Sequence, residues 1–111
     1  MKKINIGDLR QRVTIEGYIV SSDGYGGRPK TWVPIATVWA KVEPLRGREY
    51  FEAHQIKTEV THRVIIRYRP DVTPEMRVKV GDNRYLLIES VLDIEERHRF
   101  LELICREERK E

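Results

Sequence analysis

The sequence has one cysteine, Cys105, among 111 residues. A single thiol excludes an intrachain disulfide framework and a zinc site built on several cysteines. It suits a chain made and used in a reducing cytoplasm. No apolar run approaches the ~20 residues that a membrane-crossing helix needs, so no membrane is expected as a partner. Met1-Lys2-Lys3 opens like a secretory signal, but Asp8, Arg10 and Arg12 interrupt the place of its apolar stretch. Histidine is scarce: His54, His62 and His98 fall in different segments, without His-x-x-x-His spacing or a cysteine pair. A metal site is therefore not expected. Ser21, Ser22 and Ser90 lack a Gly-x-Ser-x-Gly elbow, and nothing sets a nucleophile and an orienting group beside a histidine. The residues carry no positive sign of an enzyme, and no cofactor is implied.

Charge, by contrast, is plentiful. Lys and Arg number 21 against 18 Asp and Glu, and charged residues make up 35% of the chain beside 40% hydrophobic ones. The signs are interspersed, which favours a folded chain over a disordered one. The length fits one domain, residues 1–111. Residues 1–45 carry seven bases and four acids, 46–79 eight and five, and 80–111 six and nine. The basic excess thus ends near residue 79, and the last third is acidic. Such asymmetry fits either a nucleic-acid footprint or complementary patches on a self-assembling subunit.

Period-two alternation runs through most of the chain. In residues 10–20, Val13, Ile15 and Ile19 share one face and Thr14, Glu16 and Tyr18 the other. Ser21 to Pro29 is a glycine-rich connection. In 30–43, Ala36, Val38, Ala40 and Val42 oppose Thr37, Trp39, Lys41 and Glu43, and Pro34 marks an edge or a bulge. Pro44 ends this strand. Residues 47–57 lose the alternation and contain helix formers, so a short helix within a long mobile loop, 45–59, is expected. In 59–69, Val60, Val64, Ile66 and Tyr68 oppose Thr61, Arg63, Arg67 and Arg69. Further strands are expected at 76–80, 84–92 and 99–106, the last with Leu101, Leu103 and Cys105 inward. Gly81-Asp82-Asn83 reads as a hairpin turn, and 107–111 as a frayed tail. The expected fold is all-β: a small six-stranded antiparallel β-barrel with a short helix and loop between strands 2 and 3.

Few residues invite chemistry. Gly24-Tyr25-Gly26-Gly27 precedes a strand, not the helix a phosphate loop requires. His62 falls on an apolar strand face, where a hydrogen-bonded core or rim histidine is the default. His98, after Glu95 and Glu96, reads as part of a charged turn. Arg63, Arg67 and Arg69 form a basic stripe with Tyr68 on the opposite side. A solvated or subunit-facing stripe suits that arrangement better than a nucleic-acid groove, because the aromatic does not interleave with the arginines. A nucleic-acid-binding small β-barrel remains the alternative.

A resemblance also runs along nearly the whole chain in colinear order. It begins with Ile6-Gly7-Asp8-Leu9-Arg10-Gln11-Arg12-Val13-Thr14-Ile15 and passes through Asp23-Gly24-Tyr25-Gly26-Gly27 and Lys30-Thr31-Trp32. Ala36 to Leu45 follows, then Arg46-Gly47-Arg48-Glu49, Ala53-His54-Gln55, Thr61-His62-Arg63-Val64 and Arg67-Tyr68-Arg69-Pro70. Thr73 to Arg77, Ile88 to Val91, Glu96-Arg97 and Leu101-Glu102-Leu103 complete it. In this pattern the chain resembles the head–tail joining, or head closure, proteins of long-tailed double-stranded DNA phages. The resemblance implies a small β-barrel with a helix inserted between strands 2 and 3. It implies a non-enzymatic virion subunit that forms a ring, twelve-fold in known systems, beneath the portal and adaptor proteins. Such a ring closes the DNA channel after packaging and presents a surface for tail proteins, with packaged DNA nearby but not bound by sequence. The interface and channel-loop candidates are Arg46, Gly47, Arg48, Glu49, Tyr50, Phe51, Glu52 and Ile56. Tyr50 and Phe51 could equally cover the mouth of their own barrel.

Overall fold

In the computed structural model, residues 4–20, 29–45 and 60–108 are described. The alternating segments form six strands: β1 Gln11–Val20, β2 Lys30–Pro44, β3 His62–Arg67, β4 Arg77–Val80, β5 Arg84–Asp93 and β6 Phe100–Glu107. They pair antiparallel into a closed barrel in the order β1-β2-β3-β6-β5-β4. β1 provides the closure. It pairs with β2 along its length and with β4 from Val13 to Glu16. The expected fold class is therefore the observed one. The helix expected within 47–57 lies outside the described residues.

Alternation sends one side chain in two to the barrel interior. Val13, Ile15, Ala40, Val64, Ile66, Val78, Val80, Leu86, Ile88, Leu101, Leu103 and Cys105 fill it. Burying each Val, Leu or Ile stabilises the fold by about 1.5–3 kcal/mol relative to exposure. Val72 joins them from the connection before β4, and Tyr68 and Val91 pack at the margin.

Three details depart from the sequence reading. Ile19 is 57% exposed instead of sharing the core with Val13 and Ile15. The β4 pairing stops at Glu16, so Gly17 to Val20 continue only as a ribbon with Val33 to Lys30, beyond the barrel wall. β3 is shorter than the alternation, although Val60 before it is fully buried. Glu107, expected in the frayed tail, ends β6, its N–H donating to Thr61 Oγ1 at 2.9 Å.

Pro34 does mark a bulge. Ile15 pairs with Ala36 and Glu16 with Pro34, so Ile35 is the extra residue. Its side chain lies over Gly17, where a Cβ would meet Ile35 Cδ1 at 2.8 Å. Glycine there admits the bulge. Gly81, with φ +66°, turns the β4–β5 hairpin in a conformation that side chains disfavour.

A second, smaller cluster sits outside the barrel. Ile65, facing away from Val64 and Ile66, packs with Phe100 beneath Leu9, with Ile4 and Ile94 at its edge. A 3₁₀ turn, Ile6–Asp8, brings Leu9 there, closed by Leu9 N–H donating to the Ile6 carbonyl at 3.1 Å. The N-terminal segment thus crosses the outer faces of β3 and β6.

Candidate functional site

The three arginines of the β3 stripe have different surroundings. Arg63 is held by Glu43 on β2, Nη2 to Oε1 at 2.8 Å, and by Glu102 on β6, Nη1 to Oε2 at 3.5 Å. Arg69 makes a two-pronged contact with Asp71 at 3.0 and 2.9 Å, and this partner holds the Asp71 carboxyl below its ordinary range. Only Arg67 is exposed with no carboxylate partner among the described residues. Among the described residues, the stripe is one cation without a carboxylate partner between two engaged ones. That is not a continuous track for a phosphate backbone, which presents one charge per ~1.7 Å of duplex.

Arg67 instead belongs to a cleft of about 750 Å³ between the N-terminal segment and strands β1–β3. Ile6, Leu9, Arg10, Arg12 and Trp39 line it, with Tyr68 and Arg69 at its rim. The β1–β2 register sets Arg12 opposite Trp39, and the guanidinium carbon lies 4.9 Å from the indole centroid. Arg10 reaches back to the Gly7 carbonyl, its Nε donating at 2.8 Å. Trp39 is 52% exposed. Its signal was present in the alternation, as a large aromatic on the polar face of β2. Arg10 and Arg12 carried none, because their meeting with Arg67 depends on the order of strands around the barrel.

At the neighbouring rim Tyr68 stacks on His98, with centroids 4.5 Å apart and planes 28° from parallel. His98 Nδ1 contacts the Asp93 carboxylate, so the charged-turn reading holds with Asp93 as partner in place of Glu95 or Glu96. Glu95, Glu96 and His98 all have positive φ, 57°, 54° and 55°, which only a tightly wound turn imposes on such residues.

His62 is a rim histidine in a closed network. Arg84 Nη2 can only donate, so His62 Nε2 accepts it at 3.2 Å, and Nδ1–H donates to Thr61 Oγ1 at 2.8 Å. Burial lowers the imidazole's pKa, opposed by Glu107 and assisted by Arg84. Cys105 is buried, and loss of hydration pushes its thiol pKa far up. Among the described residues, no three His, Cys, Asp or Glu side chains converge to hold a metal ion. No described helix is long and apolar enough to cross a membrane. Arg46, Gly47, Arg48, Glu49, Tyr50, Phe51, Glu52, His54 and Ile56 lie outside the described residues.

A barrel with an unpaired basic cleft and no convergent catalytic groups among its described residues leaves kinship to narrow the role. A family model described as "Phage head completion protein" matches residues 4–108. The chain belongs to this family. Among its relatives is head completion protein gp16 of Bacillus phage SPP1, 32% identical over 66 residues. That match spans 60% of this chain and 61% of the phage protein's length. The solution structure of protein SF1141 from Shigella flexneri 2a superposes with a TM-score of 0.75 at 34% identity, covering 97% of this chain and all of that one. A chain of the native gene transfer agent virion superposes with a TM-score of 0.65 at 22% identity, covering 88% and 93% respectively. The last likeness is one of fold.

Proposed function

We propose that the chain is a non-enzymatic connector subunit of a phage or prophage particle. Copies form a ring beneath the portal and adaptor proteins, close the DNA channel after packaging and present the surface to which the tail attaches. The observation that carries this reading is the family match from residue 4 to residue 108, which embraces every strand of the barrel.

The anchoring of the 46–59 segment supports a channel role for it. Leu45 N–H donates to the Thr61 carbonyl at 2.9 Å, and Thr61 N–H to the Cys105 carbonyl at 2.8 Å. The described residues on either side of the segment, Leu45 and Thr61, are therefore joined to each other on the barrel wall. Arg46, Arg48, Glu49 and Glu52 supply charge for the channel, and Tyr50, Phe51 and Ile56 apolar contact with neighbours. Packaged duplex DNA lies close by in this arrangement without being read by sequence.

Electron microscopy of particles from a phage lacking this gene is the test. The expected result is heads that have packaged but leak DNA and carry no tails. Normal tailed, infectious particles would overturn the proposal. Arg48→Glu should impair joining of heads to tails while leaving the monomer's cooperative melt intact.

A further inference from the structure

The Trp39 cleft opens where two neighbouring strands part. β2 pairs with β3 from Pro44 opposite His62 to Ala40 opposite Ile66, and no further. Beyond that point the chain of β3 stays with β6, through Arg67 opposite Phe100 and Tyr68 N–H donating to the Arg99 carbonyl at 2.9 Å. β2 stays with β1, down to Lys30. Thr37, Val38 and Trp39 therefore make one wall of a wedge, and Arg67, Tyr68 and Arg69 the other. Among the described residues, no strand pairs with the β2 edge that faces this wedge. Such an edge presents main-chain N–H and C=O groups as a template for a further strand.

The walls are cationic and partly apolar. Four arginines and no carboxylate are among the described residues that line the cleft. Arg69 is taken by Asp71, whereas Arg10, Arg12 and Arg67 are exposed and form no ion pair among the described residues. On the neighbouring turn Asp93 is occupied by His98, and Glu95 and Glu96 are balanced by the exposed Arg97 and Arg99. Elsewhere on the barrel arginines close onto carboxylates of adjacent strands: Arg77 with Glu16, Arg63 with Glu43, Arg106 with Glu89 and Arg84 with Glu107. Internal pairing thus leaves a cationic surplus in the wedge. Trp39 and Ile6, 52% and 53% exposed, give the same space two large apolar surfaces.

We infer that this wedge docks an extended acidic segment of a different protein of the particle, added as a strand to the edge of β2. The inference rests on the virion role proposed above and adds the face and the chemistry of one partner. In strand addition the main chain supplies affinity and alternate side chains supply specificity. Carboxylates of the segment would meet Arg10, Arg12 and Arg67 in charge-assisted hydrogen bonds, and an apolar side chain among them would cover the indole and Ile6. The volume of about 750 Å³ falls in the range of pockets that enclose a compact ligand, ~300–1,000 Å³. A short segment fits it and a globular surface does not. A nucleic-acid strand suits it less well, because one face of Trp39 already carries Arg12 and Tyr68 is stacked on His98. Bases need free aromatic faces on which to stack.

The test uses assembled particles in which Trp39 is replaced by photoreactive p-benzoylphenylalanine, with cross-linked peptides mapped after irradiation and proteolysis. Ile6, equally exposed, gives a second position for the same replacement. The expected product joins the cleft to one segment of a different particle protein, with Asp or Glu on both sides of the linked residue. Made as a synthetic peptide, that segment should bind the purified chain, and less tightly as salt rises. Arg12→Glu with Arg67→Glu should weaken this binding about tenfold or more while the thermal melt shows the chain folded. N-methylation of alternate peptide nitrogens, which removes the donors a paired strand uses, should also weaken it about tenfold. Cross-links to packaged DNA, to another copy of this chain or to a segment without acids would overturn the inference. So would particles that contain the chain and yield no cross-link from either position. A peptide indifferent to N-methylation at every nitrogen would refute the strand addition. Wild-type particles that lack the chain altogether would overturn the virion role instead.

Discussion

Arg77 and Glu16 face each other across the seam that closes the barrel, where β4 meets β1, and Arg77 Nε donates to Glu16 Oε1 at 2.6 Å. The same guanidinium lies 4.1 Å from the Trp32 centroid on β2 and 4.0 Å from that of Tyr85 on β5. One side chain thus links four strands, with 15% of its area exposed. Its planar, delocalised cation is suited to stacking and donating at once.

Removing that cation should open the seam. Arg77→Ala is expected to destabilise the fold by about 2–3 kcal/mol, since it leaves Glu16 shielded and unpaired. Arg77→Lys should recover less than half of the loss, because an ammonium cannot stack between two rings. Urea melts of Arg77→Ala, Glu16→Gln and the double variant should give a coupling of at least about 1 kcal/mol. Additive effects would mean that the contact is energetically idle.

Leu9 fastens the N-terminal segment over Ile65 and Phe100. Leu9→Ala should cost about 2 kcal/mol, at the low end for such truncations because the site lies at the edge of a small cluster. The loss should be local. Amide exchange at Leu9, bonded to the Ile6 carbonyl, should quicken more than exchange in β6. Equal acceleration everywhere would show that the outer cluster and the barrel open as one unit.

Stability should fall as the solution is acidified through the range where free histidine titrates. Burial depresses the His62 pKa below the usual 6.5, so the unfolded chain binds this proton first. The favourable contribution is complete above pH 6.5 and is lost as pH falls from there toward the depressed folded value. Chemical denaturation at pH 7.5 and 5.5 should show the decline, and His62→Gln should flatten it. An unchanged slope in the variant would assign the effect to other groups.

Cys105 should report on global opening. Its thiol is buried and its ionisation suppressed, so a disulfide reagent should react at once in urea but in native buffer only as the barrel opens. Prompt labelling of the native protein would contradict the packing around β6.

The apolar alternation carried most of the fold. Val13 and Ile15, Val64 and Ile66, and Leu101 and Leu103 all turned inward as their spacing required, because side-chain direction in a strand is set by the nearest peptide units. Pro34 announced a bulge for an equally local reason, its missing N–H. Ile19 followed the same spacing and is nevertheless exposed, because the neighbouring β4 ends before reaching it.

For the site, the sequence alone determined that a basic stripe lies on one face of β3 and that the acidic surplus comes late in the chain. It also carried the family pattern from end to end. Tertiary structure alone decided that Arg63 and Arg69 are spent on acids while Arg67 joins Arg10, Arg12 and Trp39. The physical reason is range. The direction of a strand residue is written in its immediate neighbours, whereas the partner of a charge depends on which strands stand side by side once the barrel has closed.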